Sequence, residues 1–245
     1  MADITPSQGS QSFMKQLAAN EKRVRDKAVE SLRSYLRHRA SISELELLKL
    51  WKGLYYCMWM SDKPRNQQQL ARDLASLVND LPKEVVVPFL DAFWKTMSRE
   101  WGGIDVLRMD KFLYLVRQYL NASFSFFARS GWKDTTRLDE YMTVLSTTPL
   151  HPTEKRIPNG IRFHVIDVYV DELEKVDEET EAEMPVETLL EPLRVLVRES
   201  PTKLVRNKVK EALEDDRVKA WLGEEAAEED RDKEEENDEW GGIDG

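Results

Sequence analysis

A run of seven uncharged residues, Leu54–Met60, limits what this chain can fold into more than any other feature, and three of the seven are aromatic. A helix that is apolar on all sides belongs inside a packed protein rather than on its surface. The run ends at a Ser-Asp-Lys-Pro-Arg break, residues 61–65, after which a polar helix is predicted. The stretch therefore predicts a buried helix followed by an exposed turn that carries Lys63 and Arg65.

Apolar residues recur at helical spacing through nearly the whole chain. The run Ile161–Val170 is rich in β-branched residues, but it keeps the same spacing and no partner strand is evident, so it is also assigned as helix. The pattern predicts about nine helices joined by short turns. They cover approximately residues 13–38, 43–60, 65–79, 85–101, 105–125, 132–146, 161–173, 186–199 and 202–221.

Successive helices of this length predict an all-α fold, namely a helical-repeat solenoid of the HEAT or armadillo kind. No sequence repeat of fixed period is visible, so an irregular helical bundle stays open as the alternative. The expected domains are a flexible N-terminus at 1–10, a helical-repeat domain at 11–222, and an acidic tail at 223–245 that is predicted to be disordered. An acidic linker at 177–185 is expected within the helical domain.

Charge is distributed unevenly along the chain, whose formal net charge is −10. Residues 224–245 carry this entire excess, so residues 1–223 are neutral. Within them 1–137 is basic and 138–223 is acidic, which suits a polyanion at one end and basic proteins at the other. The single cysteine, Cys57, excludes a disulfide framework within the chain, as is usual in the cytosol or nucleus. The absence of long apolar stretches predicts a protein that is neither secreted nor membrane-spanning.

Catalytic patterns are scarce in this sequence. The three histidines are isolated, and neither a phosphate-binding glycine loop nor a metal-ligand spacing is present. Asp167, Asp171 and Glu174 share one helix face and could in principle bind a divalent ion in a nuclease. A solvated acidic face is the favoured interpretation, since no further ligand or base is supplied. The expectation is a protein that is not an enzyme and has no cofactor, metal or small-molecule substrate.

Exposed cations give a better candidate for binding, because Lys and Arg can hold phosphate oxygens without reading bases. One group flanks the turn after the apolar run, and another forms a stripe on the last predicted helix, where Leu204 is expected on the inner side. The candidate RNA-binding residues are Lys63, Arg65, Arg72, Lys203, Arg206 and Lys210.

A short motif occurs twice, first as Glu100–Asp105 and again as Glu239–Asp244. The second copy follows the acidic run, and an exposed Trp240 there has no evident structural use. Trp240 and Ile243 are therefore candidate partner-binding residues that could dock in an apolar pocket. Chance or a duplication without function is the alternative.

Three segments together resemble the nucleolar ribosomal RNA processing protein 1 family of eukaryotes. They are 50–71, then Phe93–Trp101 continuing through Arg108–Arg117, and finally Asn159–Leu173. The resemblance covers roughly residues 12–222 and implies a helical-repeat fold in the nucleus, specifically the nucleolus. It supplies no catalytic residues.

The same resemblance implies a non-enzymatic assembly factor of pre-60S ribosomal particles that supports the processing and folding of pre-rRNA. The implied partners are a Brix-domain factor, a WD-repeat factor and a maintenance-of-killer-type factor, together with the pre-rRNA of the large subunit. A helical adaptor that binds only proteins, without direct RNA contact, is the alternative function.

Overall fold

The computed structural model describes residues 8–180 and 182–223, and this part of the chain is all-α, as predicted. It contains eleven α-helices, and two short 3-10 helices follow α4 (Ser76–Asp80) and α5 (Trp101–Gly103). The α-helices are α1 Gln8–Leu17, α2 Lys22–Arg37, α3 Glu44–Trp59, α4 Pro64–Ala75, α5 Lys83–Glu100, α6 Val106–Ala128, α7 Thr135–Thr147, α8 Asn159–Glu178, α9 Val186–Glu199, α10 Lys203–Leu213 and α11 Asp216–Leu222.

The helices stack in two layers. Helices α1, α3, α5, α7 and α9 pack successively against one another, and α4, α6, α8 and α10 do the same in the second layer. Helix α2 joins the second layer through the 3-10 helix that follows α4. Alternation of odd and even helices between two layers is the arrangement of a helical-repeat solenoid, so this prediction is confirmed and the irregular bundle is not needed.

Neighbouring helices within a layer run parallel. Contacts between α4 and α6 advance along both helices in the same direction: Arg72 meets Tyr114, the Tyr119 hydroxyl donates to the Leu74 carbonyl, and Asn79 meets Arg129 beyond the end of both. Since α3–α4, α5–α6, α7–α8 and α9–α10 are antiparallel pairs, the turns within these pairs lie along one edge of the solenoid. We call this the hairpin edge.

The expected count of nine helices is too low for the described residues, because two predicted helices are each divided. The first breaks at residues 18–21, where the buried Arg25 donates to the carbonyls of Ala19 and Asn20, both at 2.7 Å. The last breaks after Leu213, and the Asp215 side chain starts α11 by accepting from the Arg217 amide at 3.0 Å. In both places a side chain satisfies backbone groups that a continuous helix would have paired internally.

Helix α3 lies in the core, as the apolar run predicts. Trp51 is fully buried, its ring centroid lies 4.9 Å from those of Phe93 and Tyr119, and its indole nitrogen donates to the Phe89 carbonyl at 2.9 Å. The prediction is wrong for one member of the run, however, because Tyr56 is 40% exposed. Helix α3 contacts neighbours in its own layer and in the second layer, but its remaining face points outward to solvent, and Tyr56 lies on that face.

The first copy of the repeated motif forms the turn from α5 to α6. Trp101 and Ile104 are buried, and Asp105 caps α6 by accepting from the Arg108 amide at 3.1 Å. The Trp101 ring fits against the start of α8 because residue 160 is glycine; a Cβ there would lie 2.9 Å from the indole nitrogen. This copy therefore forms the turn within the α5–α6 pair, and the second copy lies outside the described residues.

Candidate functional site

The residues with catalytic potential are not assembled into a site. Burial raises the pKa of the Cys57 thiol to about 12, which leaves it unreactive. His164 is held in the structure by a 2.8 Å hydrogen bond to the Leu113 carbonyl and by stacking near Trp101. Across residues 8–180 and 182–223 there is no cluster of three histidine, cysteine or carboxylate groups suited to a metal ion. None of the helices in this part is long and apolar enough to span a membrane.

The α8 carboxylates Asp167, Asp171 and Glu174 are 39–49% exposed, as a solvated face requires, but each also has a cationic partner. Asp167 pairs with Lys208 at 2.5 Å, while Arg217 reaches both Asp171 at 3.3 Å and Glu174 at 2.6 Å. These pairs attach α10 and α11 to α8. The three carboxylates therefore hold the end of the solenoid together, and their oxygens are already engaged.

The first predicted cation patch lies at the hairpin edge and along α4. Lys63 is the N-cap of α4 with φ 58°, Pro64 takes the first helical position, and both Lys63 and Arg65 are exposed. Arg72 lies two turns further on the same face and donates to the Tyr114 hydroxyl at 3.1 Å. Within the described chain none of the three forms an ion pair, so their charges remain available to an anion. We call these three residues the α4 patch.

Lys111 fixes the turn that carries this patch. Its ammonium group, which is only 6% exposed, donates to the carbonyls of Trp59 at 2.7 Å and Ser61 at 2.9 Å. Burial, together with the nearby charge of Arg108, lowers the pKa of Lys111 to about 8. Sequence reasoning missed this residue, although the helical period places it one turn before the buried Leu115.

The second predicted patch lies on α10, where Lys203 and Lys210 are exposed. Arg206 is partly engaged, since it donates to the Ser200 carbonyl at 2.7 Å and so stabilises the α9–α10 turn. The expected inner position of Leu204 is wrong, because this side chain is 69% exposed. Only every third or fourth residue of a helix faces its neighbours, and on α10 Val205 and Val209 occupy that face.

The two patches are not contiguous. Helices α6 and α8 lie between α4 and α10 in the same layer, so the patches are about 25–30 Å apart at ordinary helix spacings. The intervening charges are also paired, since Arg117 of α6 contacts both Asp171 and Glu172 of α8. The structure therefore brings Lys63 and Arg65 together but places Lys203 and its neighbours at a separate surface.

Sequence reasoning also missed an exposed stripe on α3. Its members recur at spacings of four, three and four residues, which puts them on one helix face. They are Leu45, Lys49, Lys52 and Tyr56, of which Leu45 is 61% and Tyr56 40% exposed. We call this set the α3 stripe.

Comparison with known proteins identifies the family. The family model described as nucleolar protein Nop52 matches residues 8–242. The chain belongs to this family. Over 170 residues, or 67% of this chain, it is 45% identical to human ribosomal RNA processing protein 1 homolog B. It is 44% identical to human homolog A over 66% of this chain, and 36% identical to the Caenorhabditis elegans homolog over 66% of this chain. The resemblance found in the sequence is thereby confirmed.

The matched region is a minor part of these relatives. It spans 22% of human homolog B, 36% of human homolog A and 41% of the Caenorhabditis elegans protein. The predicted partner-binding residues Trp240 and Ile243 fall outside the described residues.

Proposed function

We propose that this protein is a non-enzymatic nucleolar factor that supports pre-rRNA processing in large-subunit ribosome precursors. Its membership of a nucleolar protein family, with relatives named for ribosomal RNA processing, is the observation that carries the proposal. In this role the solenoid binds other assembly factors and holds pre-rRNA in position. The Brix-domain, WD-repeat and maintenance-of-killer-type factors are the partner classes to test first.

The α4 patch is the proposed site of RNA contact. Its charges have no anionic partner in the described chain, and Lys63 and Arg65 are exposed at the start of α4. Exposed cations of this kind can hold phosphate oxygens without reading bases. Lys203, Arg206 and Lys210 would form a second, weaker contact, because Arg206 already serves the fold.

A helical adaptor that binds only proteins is the second candidate. It is favoured by the separation of the two cation patches and by the exposed apolar residues at the hairpin edge. Val106 and Leu107, at the start of α6, are 89% and 93% exposed, and Leu204 lies on the same edge. Exposed apolar residues of this size are typical of protein contacts when they occur together.

RNA binding measured over a range of salt concentrations separates the two candidates. Fluorescence anisotropy with a pre-rRNA fragment is expected to give an affinity that falls steeply with salt for the unaltered chain. The double substitution Lys63→Glu/Arg65→Glu should lower the logarithmic salt slope by about 1.4, since each lost single-strand phosphate contact removes about 0.7. The matched control is Lys83→Glu/Lys133→Glu, which alters two exposed lysines that lie outside both patches. An affinity independent of salt would contradict RNA contact through these cations. The protein-binding adaptor would then be the remaining candidate function.

The processing role has its own test. Cells depleted of the endogenous protein should accumulate large-subunit rRNA precursors, and expression of the unaltered chain should restore processing. Normal precursor levels after complete depletion would refute the proposed role, whatever the outcome of the RNA-binding measurement.

A further inference from the structure

The α3 stripe leads toward the turn that carries Lys63. Lys49, Lys52 and Tyr56 lie on the outward face of α3, and this helix leads directly into the turn that carries Lys63. At 1.5 Å per residue, Lys49 and Tyr56 are separated by about 10 Å along the helix axis. Two lysines and an aromatic ring thus extend from the middle of α3 toward the hairpin edge.

The lysines of the α3 stripe differ from the paired cations on α5 and α9 of the same layer. On α5, Lys95 pairs with Asp91 and with Glu44. On α9, the outward arginines contact glutamates of their own helix. By contrast, Lys49 and Lys52 have no ion-pair partner among the residues that the structure describes.

The acidic residues near the stripe are largely occupied. The Glu46 carboxylate accepts from both the Ser43 hydroxyl and the Ser43 amide, and it thereby caps the start of α3. Glu44 is held by Lys95. One exposed carboxylate, Asp62, stands beside Lys63 in the turn. Glu44 and Glu46 lie at the start of α3, so the positive charge of this face is concentrated further along the helix, at Lys49 and Lys52, where it can attract a polyanion.

Two buried aromatic rings support the Tyr56 ring from the interior of the protein. Its ring meets the buried Tyr55 edge-on, with centroids 5.5 Å apart and an interplanar angle of 85°. Tyr55 in turn stacks on the fully buried Phe112 at 4.9 Å. An exposed ring supported in this way can stack on a nucleic-acid base without first being ordered.

We propose that the α3 stripe forms a track for single-stranded RNA, in which Tyr56 stacks on a base while Lys49 and Lys52 contact flanking phosphates. The inference rests on the proposed function for its ligand, and it specifies the form of that ligand. Duplex RNA keeps its bases stacked on one another, so it cannot offer a free face to Tyr56. Leu45 lies at the far end of the stripe and takes no part in the track.

The test compares single-stranded and duplex RNA binding by the full chain. The probes are a 12-nucleotide oligouridine and a duplex RNA of equal length, measured by fluorescence anisotropy. Tyr56→Leu should weaken oligouridine binding about tenfold, because one base–aromatic stack is lost, and should leave duplex binding unchanged. Tyr56→Phe should bind as the unaltered chain does, since it keeps the ring.

Two further variants complete the design. Lys49→Gln/Lys52→Gln should lower the salt slope for oligouridine by about 1.4 without abolishing binding. Tyr35→Leu is the matched control, because Tyr35 is equally exposed at 44% but lies on α2, away from the track. It should leave oligouridine binding unchanged. Ultraviolet crosslinking of oligouridine to the unaltered chain should give a peptide containing Tyr56, and this measurement does not depend on the folding of any variant.

The outcomes separate this inference from the proposed function. If Tyr56→Leu binds oligouridine normally while Lys63→Glu/Arg65→Glu does not, RNA contact stands and the track along α3 is refuted. If the unaltered chain binds neither RNA, both the RNA arm of the proposed function and the track are refuted. Loss of a protein partner in Tyr56→Leu, with RNA binding intact, would assign the stripe to protein and overturn the inference.

Discussion

Substitution of the buried Lys111 by methionine should produce a stability difference that depends on pH. The ammonium group satisfies the carbonyls of Trp59 and Ser61, and loss of a donor costs about 1–3 kcal/mol for each buried carbonyl. Against this, a pKa lowered from 10.5 to about 8 means that burial of the charged form costs about 3 kcal/mol. Near neutral pH the two effects largely offset each other, so the methionine variant should lose little stability.

The balance changes at alkaline pH. Between pH 8 and 10.5 the folded protein has released the Lys111 proton while the unfolded chain retains it, so the free energy of unfolding rises with pH. From about pH 7.5 to about pH 9.5 this adds about 2 kcal/mol to the unaltered protein and nothing to Lys111→Met. Measurements should stop below about pH 10, where tyrosines begin to titrate in the unfolded chain.

Urea unfolding of both proteins at the two pH values, followed by circular dichroism, measures the effect. The difference in unfolding free energy between the unaltered chain and Lys111→Met should grow by about 2 kcal/mol in favour of the unaltered chain. Lys83→Met, which removes an exposed lysine, should show no such change. A difference that stays constant between the two pH values would refute the view that Lys111 is buried at an energetic cost.

Three other predictions concern the start of α8. Gly160→Ala should destabilise the protein by about 1–3 kcal/mol in thermal unfolding, because the new Cβ would press on the rigid Trp101 ring; an unchanged melting temperature would contradict this packing. Arg162→Met should cost about 3–5 kcal/mol, since its buried guanidinium donates to several loop carbonyls, including that of Glu154 at 2.7 Å; a loss below about 1 kcal/mol would count against that role. Burial lowers the pKa of His164, so the folded state resists protonation and stability should fall as pH drops below about 6.5. His164→Gln should reduce this loss in urea unfolding, and an identical pH profile in both proteins would exclude the histidine as its source.

The sequence predicted the helices well because their cause is local. The apolar spacing of Ile161–Val170 outweighed its β-branched composition, and α8 does span this segment. The break between α1 and α2 was missed because it depends on one side chain, Arg25, folding back on the preceding carbonyls. No periodicity in the sequence reports such a contact.

Charge partners could not be predicted, because they come from distant parts of the chain. Arg33 and Arg37 of α2 both contact Asp80, which lies more than forty residues further along the chain. The acidic face of α8 was likewise neutralised by α10 and α11. The fold decides which charges are paired. The cations that remain available to RNA are therefore also set by the fold and not by local sequence.

The unpaired cations and the acidic residues lie at different positions along the length of the two-layer solenoid. The unpaired cations of α3 and α4 lie toward one end, whereas the groove between α7 and α9 further along is lined by Asp139, Glu187 and Glu191 together with Arg194, which pairs with Glu187. One continuous apolar core joins both ends, from Leu17 of α1 to Val218 of α11. Because interiors packed at this density deform little, the distance between the two surfaces is nearly fixed. A solenoid of this kind can hold a polyanion at one end at a set distance from a partner at the other, which is what a scaffold in an assembling particle requires.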